Sequence, residues 1–471
     1  MLLITVKRRV VGMNSKRKII YCFLMTVSLL FDVISVTAGN VNKSIYKGWN
    51  SIALSNDIIE VQVVPEIGGR VIQFKLKDFE YLWVNDKLSG MLPPQSGVGP
   101  NGEWLNYGGD KIWPAPQGWE RDDQWPGPPD PVLDGGIYTG ILLVGRGNPI
   151  EIKLTSPEDK RSGIQFSRTI KVFDNSSRVS FSTTMTNIDT RSRRWGIWQV
   201  TQHNTANRTG SGYNENIRAY CPLNLYSIYP RGYSVMFGLA DNPSFISDPE
   251  NKMLRVSYKR LVGKVGIDCS AGWLAVVDGT NGYVFVERFA YFPDKKYPDN
   301  ASVEFWTNGV GSFFTGKKYN EFKDDPIETP FLMESEVLSP FAELLPGEHY
   351  SFHLDWYAAR IGDNLPVLGC SDVGVICEPL IARILNGKVL LWGKFGVFYS
   401  GKVGMIYYNP SGEEITKIQP NRIISPDQPL ILSGDSTLSG NSIPASAASV
   451  ELYIMDDYNR ILGKLASAQF E

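Results

Sequence analysis

The pattern of apolar and polar positions along the chain predicts short β-strands separated by turns. Residues 58–64 and 70–76 alternate between apolar and polar side chains, as half-buried strands do, and the proline and glycines of 65–69 separate them. Helical periodicity is nearly absent. Similar strand-like runs follow at residues 141–144, 164–172, 179–186, 195–201, 272–277, 283–289, 302–307 and 349–358. This series predicts an all-β protein whose main part is a large β-sandwich.

A second, smaller β region is predicted near the C-terminus. Residues 360–379 contain Gly, Pro and two close cysteines, which indicate a junction. A chain of 471 residues exceeds the usual size of a single hydrophobic core, so two domains are expected. We therefore predict a large domain over 39–362 and a small immunoglobulin-like β-sandwich over 363–471. Its strand-like runs are 388–392, 402–408, 429–432 and 449–455.

The first 38 residues have the features of an export signal. A basic segment at 16–18 precedes an apolar run at 19–31, which is short for a membrane span, and 36–38 provides small residues for cleavage. No other apolar run in the sequence reaches membrane length. The sequence therefore predicts a signal peptide over 1–38 and a periplasmic or extracellular mature protein with no membrane segment.

Composition argues against several classes of function. The chain has 47 Lys and Arg against 49 Asp and Glu and no long run of one sign, which argues against nucleic-acid binding through phosphate neutralisation. Its three histidines are too few for a histidine-based metal cluster. We predict no cofactor and no metal, although acidic side chains in the loops are compatible with a Ca²⁺ site.

Four cysteines follow the predicted signal, and their even number permits disulfides in an oxidising compartment. Cys370 and Cys377 are close enough in sequence to close a small loop at the junction. Free buried thiols are the alternative, and no neighbouring residue marks an activating base for a catalytic thiol.

The segment 104–117 carries a dense group of side chains suited to a sugar. The adjacent glycines Gly108 and Gly109 permit a tight turn that brings main chain close to a ligand. Indole faces stack on the C–H faces of sugars, whereas amide, carboxylate and ammonium groups pair with their hydroxyls. The alternative is a buried aromatic loop. The residues predicted here to contact a carbohydrate are Trp104, Asn106, Asp110, Lys111, Trp113 and Gln117.

Three segments resemble the galactose mutarotase-like superfamily of aldose epimerases, whose fold is a β-supersandwich. Residues 108–114, Gly-Gly-Asp-Lys-Ile-Trp-Pro, resemble the loop that lines the epimerase sugar cleft. Residues 186–203 resemble the segment that presents the epimerase acid, and 331–348 resemble the segment that presents the catalytic glutamate. The motifs Pro-Glu-Ile-Gly-Gly-Arg, Trp-Leu-Asn-Tyr-Gly-Gly-Asp-Lys and Pro-Val-Leu-Asp-Gly-Gly more closely resemble an uncharacterised family of exported bacterial proteins, domain of unknown function 4380.

This resemblance, which covers roughly residues 45–360, implies roles for particular residues. Glu334 matches the epimerase base and His203 matches the acid. Mutarotation needs such a pair to deprotonate the anomeric hydroxyl and protonate the ring oxygen. Glu336 lies one strand repeat from Glu334 on the same face, and Arg70 follows a glycine pair on an early strand, so both are predicted substrate contacts. The alternative for Arg70 is a structural ion pair.

Two departures from the epimerase pattern leave the activity open. The epimerases carry a second cleft histidine upstream, whereas no histidine precedes His203, and Asp110-Lys111 replaces their apolar-Pro pair. One hypothesis is an exported carbohydrate-binding protein with aldose 1-epimerase-like acid–base chemistry. Another is a hydrolase or lyase on the same scaffold, with Glu334 paired to Asp110 or Glu336. The third is a non-catalytic carbohydrate-binding or structural component of a polysaccharide-processing system. The sugar and the oligomeric state stay open.

Overall fold

The computed structural model describes residues 39–363, 366–385, 388–420, 422–434 and 446–470. The predicted signal peptide, 1–38, lies outside the described residues. Within these ranges the chain is almost entirely strand and turn, and its helices are single 3₁₀ turns at Pro65–Ile67, Asp86–Leu88 and Pro298–Asn300. No helix in the described ranges has the length and apolar character needed to cross a membrane. The predicted all-β class is confirmed.

The strands are numbered in chain order. Those before residue 361 are β1 (Asn40–Tyr46), β2 (Trp49–Ser55), β3 (Ile59–Val64), β4 (Arg70–Leu76), β5 (Phe79–Glu80), β6 (Asp110–Ala115), β7 (Thr139–Val144), β8 (Ile150–Thr155), β9 (Ile164–Val172), β10 (Val179–Asn187), β11 (Arg193–Asn204), β12 (Ile217–Pro222), β13 (Ser234–Gly238), β14 (Phe245–Asp248), β15 (Met253–Ser257), β16 (Gly263–Ile267), β17 (Trp273–Asp278), β18 (Tyr283–Phe289), β19 (Val303–Thr307), β20 (Gly311–Thr315), β21 (Lys318–Phe322), β22 (Leu332–Leu338), β23 (Ala342–Leu344) and β24 (His349–Arg360). Those after it are β25 (Gly369–Cys370), β26 (Gly374–Leu385), β27 (Lys388–Val397), β28 (Gly401–Tyr408), β29 (Glu414–Ile418), β30 (Ile423–Ile424), β31 (Leu430–Ser433), β32 (Ser449–Met455) and β33 (Ile461–Gln469).

Two large antiparallel sheets contain most of the strands before residue 361. The first sheet has the order β1-β2-β3-β4-β6-β11-β22-β19-β16-β13, with β5 paired to β4 and β23 paired to β11. The second has the order β14-β15-β12-β17-β18-β24-β10-β9-β8-β7, and β20 and β21 form a separate hairpin. Strands distant in sequence are therefore neighbours, and the central part of the first sheet joins β6, β11, β22, β19 and β16.

The main core lies between the two large sheets. Alternate residues of β9 and β10 are buried, which is the period expected of strands with one face on the core. Phe74 of the first sheet packs against Trp356 and Phe285 of the second, with ring centroids 5.8 and 6.0 Å apart. In β6 every residue is buried, so loops must cover the face of the first sheet that points away from this core.

The strands after residue 363 form two smaller sheets, β25-β26-β27-β31 and β29-β28-β32-β33 with β30 paired to β28. They enclose a separate apolar core that includes Phe395, Met405 and Leu452. The predicted domain boundary at 362/363 falls between β24 and β25. A further apolar cluster, in which Tyr357 stacks on Phe398 at 4.3 Å, packs this region against the second large sheet on the side away from the main core.

The four cysteines after the predicted signal are free thiols in this structure. Cys221 and Cys269 are fully buried, and both thiols approach the carbonyl oxygen of Trp273, at 3.9 and 3.5 Å. Cys370 and Cys377 lie in β25 and β26. The structure therefore agrees with the alternative of free thiols, and no disulfide joins Cys370 to Cys377.

Candidate functional site

A cavity of about 770 Å³ opens on the face of the first large sheet that points away from the main core. Alternate residues of β6, β11, β22, β19 and β16 form its floor. Cross-strand pairing brings these residues together, because Trp113 pairs with Trp198, and Glu334 lies between Gln202 and Trp306. We call this cavity the cleft. Loops around residues 83–88, 103–106 and 326–330 and the β20–β21 hairpin form its walls.

Aromatic side chains dominate the lining of the cleft. Trp83, Trp104 and Trp306 are partly exposed, whereas Trp113 and Trp198 are buried beneath them. The Trp113 ring packs against Trp198 with centroids 5.3 Å apart and against Trp104 at 6.1 Å. The buried indoles therefore support a surface on which the partly exposed ones can meet a ligand.

Glu334 is the most accessible carboxylate of the cleft floor. Its side chain is 13% exposed, and Oε1 accepts hydrogen bonds from Gln202 Nε2 at 2.6 Å and from Lys111 Nζ at 3.3 Å. Two donors on one oxygen fix the orientation of the carboxylate. Glu334 is thus held in place and still open to the cavity.

Lys111 lies beneath the floor, and its ammonium is the counter-charge of Glu334. Nζ lies 4.9 Å from the centre of the Trp113 ring and 5.7 Å from that of Trp104, so the cation faces two indoles. Burial lowers the pKa of Lys111, and the Glu334 carboxylate opposes that shift. The side chain is 1% exposed, so its charge acts on the cleft through Glu334 and the indoles.

The loop that carries these tryptophans is anchored by one buried aspartate. Asp134 accepts hydrogen bonds from Trp104 Nε1 at 2.7 Å and Trp113 Nε1 at 3.1 Å, and from the Arg70 guanidinium at 2.6 Å. Arg70 also donates to the Gly108 carbonyl at 3.2 Å. Arg70, predicted to reach into the cleft, is instead fully buried behind it because its charge is neutralised by Asp134.

The glycine pair brings main chain close to another backbone segment of the chain, whereas the approach predicted from the sequence was to a ligand. Gly108 has φ +94°, and a Cβ there would lie 2.2 Å from the Trp83 carbonyl oxygen. The backbone of the 104–117 segment therefore contacts the strand-like segment at 81–84 without space for a side chain. This contact brings Trp83 to the cleft beside Trp104.

A second charged group lies at the other end of the floor. Lys264 Nζ is 2.7 Å from Glu304 Oε2 and 2.9 Å from Glu336 Oε2, and Trp198 Nε1 donates to Glu336 Oε2 at 2.8 Å. Burial raises the pKa of Glu336 to about 8, with Lys264 opposing the rise. Burial alone would lower the pKa of Lys264, but Glu304 and Glu336 outweigh it and the pKa is raised. We call Lys264, Glu304 and Glu336 the Lys264 cluster.

His203 does not lie in the cleft. Successive residues of a strand point to opposite faces, so Gln202 faces the cavity and His203 faces the main core. There its Nε2 is 2.7 Å from Ser335 Oγ, and its ring packs on Phe285 at 4.9 Å. Burial lowers the pKa of His203 to about 3. The structure therefore does not bring the predicted acid together with Glu334.

Asp110 also faces the main core, because it alternates with Lys111 on β6. It forms an ion pair with Arg168 at 2.5 Å and accepts a hydrogen bond from Thr201 Oγ1 at 2.9 Å. Burial raises the pKa of Asp110, and Arg168 opposes the shift. Asp110 is 0% exposed, so the structure separates it from the ligand space that the sequence assigned to it.

Most of the other predicted contacts do meet in the cleft. The predicted residues that line it are Trp104, Asn106, Trp113, Gln117, Glu334 and Glu336, and Lys111 contacts Glu334 from below. The predicted set omitted several lining residues, namely Trp83, Trp198, Gln202, Lys264 and Trp306. These residues were partly indicated by the sequence. Glu334 and Glu336 are on one face of a strand, and the strands on either side of β22 must add side chains to the same face.

These observations define an all-β protein in which two large antiparallel sheets enclose the core and one outer sheet face carries a tryptophan-lined cleft. The chain belongs to the family described as a domain of unknown function, DUF4380, which matches residues 50–359. That range contains the entire lining of the cleft. The family assignment drawn from the glycine-rich motifs is confirmed.

Solved structures similar to this chain include two described as galactose mutarotase-like proteins. The one from Lactobacillus casei ATCC 334 is 12% identical, covers 65% of this chain and 99% of its own, and has a TM-score of 0.41. The one from Clostridium acetobutylicum is 11% identical, covers 69% and 99%, and has a TM-score of 0.41. A TPR-domain containing protein from Parabacteroides distasonis ATCC 8503 is 12% identical over 68% of this chain, with a TM-score of 0.41. This chain spans 48% of the length of that protein.

Proposed function

We propose that the cleft binds a carbohydrate. The observation that carries the proposal is the placement of three partly exposed indoles, Trp83, Trp104 and Trp306, around the charged floor at Glu334 and Lys111. Indole faces match the C–H faces of a sugar ring, and a fixed carboxylate accepts hydrogen bonds from its hydroxyls. A pocket with apolar walls and a few convergent polar groups is the usual form of a small-molecule site.

We further propose that Glu334 acts as a general base on the bound sugar. Its carboxylate is oriented by Gln202 and Lys111 and remains partly open to the cavity, which supports proton transfer from a sugar hydroxyl. Removal of the proton of the anomeric hydroxyl group, with protonation of the ring oxygen, would open the ring and allow the anomers to exchange. This is the aldose 1-epimerase-like reaction that the resemblance of the 331–348 segment implies.

A second candidate reaction is glycosidic bond cleavage, and one observation favours it. Glu334 and Glu336 both line the cleft from the same face of β22, with Cα atoms roughly 7 Å apart by strand geometry. Cleavage needs two carboxyl groups on either side of the bond. Both candidate reactions therefore use Glu334 and are distinguished by the product that forms.

We also propose that the protein is exported. The support is the order of basic, apolar and small residues in 1–38. N-terminal sequencing of the protein from the cell envelope or medium is expected to begin near residue 39. A mature protein that still begins at Met1 or Met13 would contradict export.

The test of the cleft uses a panel of neutral and acidic sugars, with binding measured by calorimetry and any binder followed for anomeric exchange and for cleavage. Trp306→Ala is expected to weaken binding at least about ten-fold, or about 1.4 kcal/mol. Glu334→Gln is expected to bind and to lose turnover. Trp392→Ala is the matched control, because Trp392 is a partly exposed tryptophan of β27, outside the cleft.

Each outcome decides between hypotheses. Binding that depends on Trp306, with turnover that depends on Glu334, supports the enzyme. Binding without turnover in any variant supports a binding protein and contradicts the base role of Glu334. If the sugars bind neither wild type nor variants, or if Trp392→Ala weakens binding as much as Trp306→Ala does, the carbohydrate proposal is wrong.

A further inference from the structure

The Lys264 cluster is a group of buried titratable side chains that the proposed base does not use. Lys264, Glu304 and Glu336 are 6%, 1% and 1% exposed, so water screens none of them. One ammonium faces two carboxyl groups, and if both were ionised the buried cluster would carry a net negative charge. Such a charge is costly away from water, and a bound proton removes it.

The two carboxyl groups are placed to share that proton. Glu304 of β19 and Glu336 of β22 are direct cross-strand partners, so their side chains leave the sheet side by side. Glu304 Oε1 is buried and has no hydrogen-bond partner among the described residues. Trp198 and Lys264 both bind Oε2 of Glu336, which leaves its Oε1 for the proton. A proton held between the two groups gives the buried Glu304 oxygen the partner it otherwise lacks.

The surroundings of the pair favour the protonated form. Other titratable groups that act on it include Glu334 of β22, Asp299 of the turn at Pro298–Asn300 and the Tyr229 phenol, and none of these three supplies a positive charge. Burial, opposed by Lys264, raises the pKa of both Glu304 and Glu336, that of Glu336 to about 8. Burial of two carboxyl groups beside a single ammonium therefore favours a proton on the pair.

We propose that Glu336, sharing one proton with Glu304 beside Lys264, is the general acid of the cleft and works together with Glu334. The inference rests on the proposed function and supplies the acid that His203, on the other face of β11, is not placed to provide. Glu336 is 1% exposed but lines the cavity two residues from Glu334, whereas Lys111 and Asp110 do not line it, so a sugar held by Glu334 lies against the Glu336 carboxyl group. Glu304 and Lys264 act as positioning residues that keep the proton on the pair.

In anomeric exchange, Glu334 takes the proton of the anomeric hydroxyl, and the electron pair of that O–H bond forms the carbonyl. The bond between the anomeric carbon and the ring oxygen breaks with its electrons on the oxygen, which takes the proton of Glu336. Glu334 is then protonated and Glu336 ionised. After the open-chain aldehyde rotates, both transfers reverse, and the other anomer forms with both carboxyl groups restored.

The first arm of the test needs no ligand. Infrared difference spectra of the full chain between about pH 6 and about pH 10 follow the C=O band of a protonated carboxyl group. In Glu304→Gln and in Glu336→Gln, Lys264 has one carboxyl partner left and ionises it, so both variants are expected to lose the band of the pair. Glu287→Gln is the control, because it removes a separate buried carboxyl group whose pKa burial also raises to about 8. Glu334→Gln is also expected to retain the band of the pair.

The second arm measures turnover of a sugar that binds in the panel. Wild-type kcat is expected to fall as pH rises through about 8, because the acid form of the pair is lost. Glu304→Gln is expected to bind the sugar and to lose about 100- to 10,000-fold in kcat together with this pH dependence. Circular dichroism establishes that each variant is folded. The same loss of kcat is expected for Glu336→Gln, so the prediction can be tested with either variant.

The outcomes separate this inference from the function on which it rests. A band that persists in both Glu304→Gln and Glu336→Gln overturns the shared proton, whatever the sugars do. A lost band with unchanged kcat in both variants overturns the role of Glu336 as the acid. If wild type has the variant-sensitive band but binds none of the sugars, the proposed function fails and the acid role fails with it, whereas the shared proton is retained.

Discussion

At the scale of single residues, the cleft depends on side chains that a ligand would not touch. Asp134 precedes Gly135 and Gly136, and such a sequence is typical of a turn. In the structure it is 3% exposed and binds the indoles of Trp104 and Trp113 together with Arg70. These partners come from separate segments, so their convergence on Asp134 depends on the folded chain and is not visible in local sequence.

Replacement of Asp134 by Ala is expected to destabilise the protein by about 3–5 kcal/mol, because it leaves the Arg70 charge buried without a partner. Urea unfolding measures the loss. Asp372→Ala is the control, since Asp372 also lies 2.6 Å from an arginine but is 78% exposed, and it is expected to cost about 0–1 kcal/mol. Similar losses in the two variants would contradict the anchoring role of Asp134.

Glu287 gives a prediction for the pH dependence of stability. Its carboxyl group is buried against Ser335 and Trp356, and burial raises its pKa from 4.5 to about 8. Between these values the folded state holds a proton that the unfolded state has released, so this contribution is full below about pH 4.5 and is lost as pH rises through about 8. Glu287→Gln removes the dependence.

The free energy of unfolding of wild type relative to Glu287→Gln is therefore expected to fall by a few kcal/mol, as an order of magnitude, between about pH 5 and about pH 9. Denaturant titrations at several pH values measure this difference. Glu343→Gln is the control without such a slope, because that side chain is 79% exposed. A constant difference between wild type and Glu287→Gln would show that Glu287 is ionised in the folded protein at neutral pH.

At the scale of elements, the site is set by strand alternation and by which strands are neighbours. The sequence predicted that Glu334 and Glu336 share a face, because that follows from the period of two within one strand. The prediction that His203 lies in the cleft was wrong. Adjacent residues of β11 face opposite sides, and the resemblance to the epimerases did not distinguish His203 from its neighbour Gln202. Lys264 was missed because its contact with Glu336 requires the order β22-β19-β16, which no local pattern contains.

The glycine-rich turn gives a prediction at the same scale. Gly108→Ala is expected to cost about 1–3 kcal/mol more than Gly102→Ala in thermal or urea unfolding. Both residues have positive φ, +94° and +78°, but a Cβ at 108 would lie 2.2 Å from a carbonyl oxygen, whereas one at 102 meets nothing within 4 Å. The difference between the variants therefore isolates the close approach of the backbones. Equal costs would contradict that contact.

At the scale of the whole molecule, the outer faces of the two large sheets differ. One outer face carries the cleft, and the region after residue 363 covers the part of the second large sheet's outer face formed by β17, β18 and β24. Strand-like runs predicted at 402–408 and 449–455 correspond to β28 and β32. The packing of Val367, Val375 and Phe398 against the second sheet was not predicted, although β17, with all six residues buried, shows in its apolar sequence that both of its faces are covered.

A chain that ends at residue 362 is therefore expected to aggregate or to lose cooperative unfolding. It would expose an apolar face that includes Trp273, Val286 and Tyr357. Light scattering and thermal unfolding of the 39–362 and 39–471 chains provide the comparison. A monomeric 39–362 chain with the same midpoint of unfolding would contradict a structural role for the C-terminal sheets.

The central claim is that a carbohydrate binds in the cleft with its ring against an indole and a hydroxyl on Glu334. A crystal structure of residues 39–471 with a sugar that binds in solution tests it most directly. We expect the sugar to lie against Trp306 or Trp104, with an oxygen within hydrogen-bond distance of the Glu334 carboxylate. A sugar bound only elsewhere, for example on the C-terminal sheets, with the cleft empty, would contradict the claim.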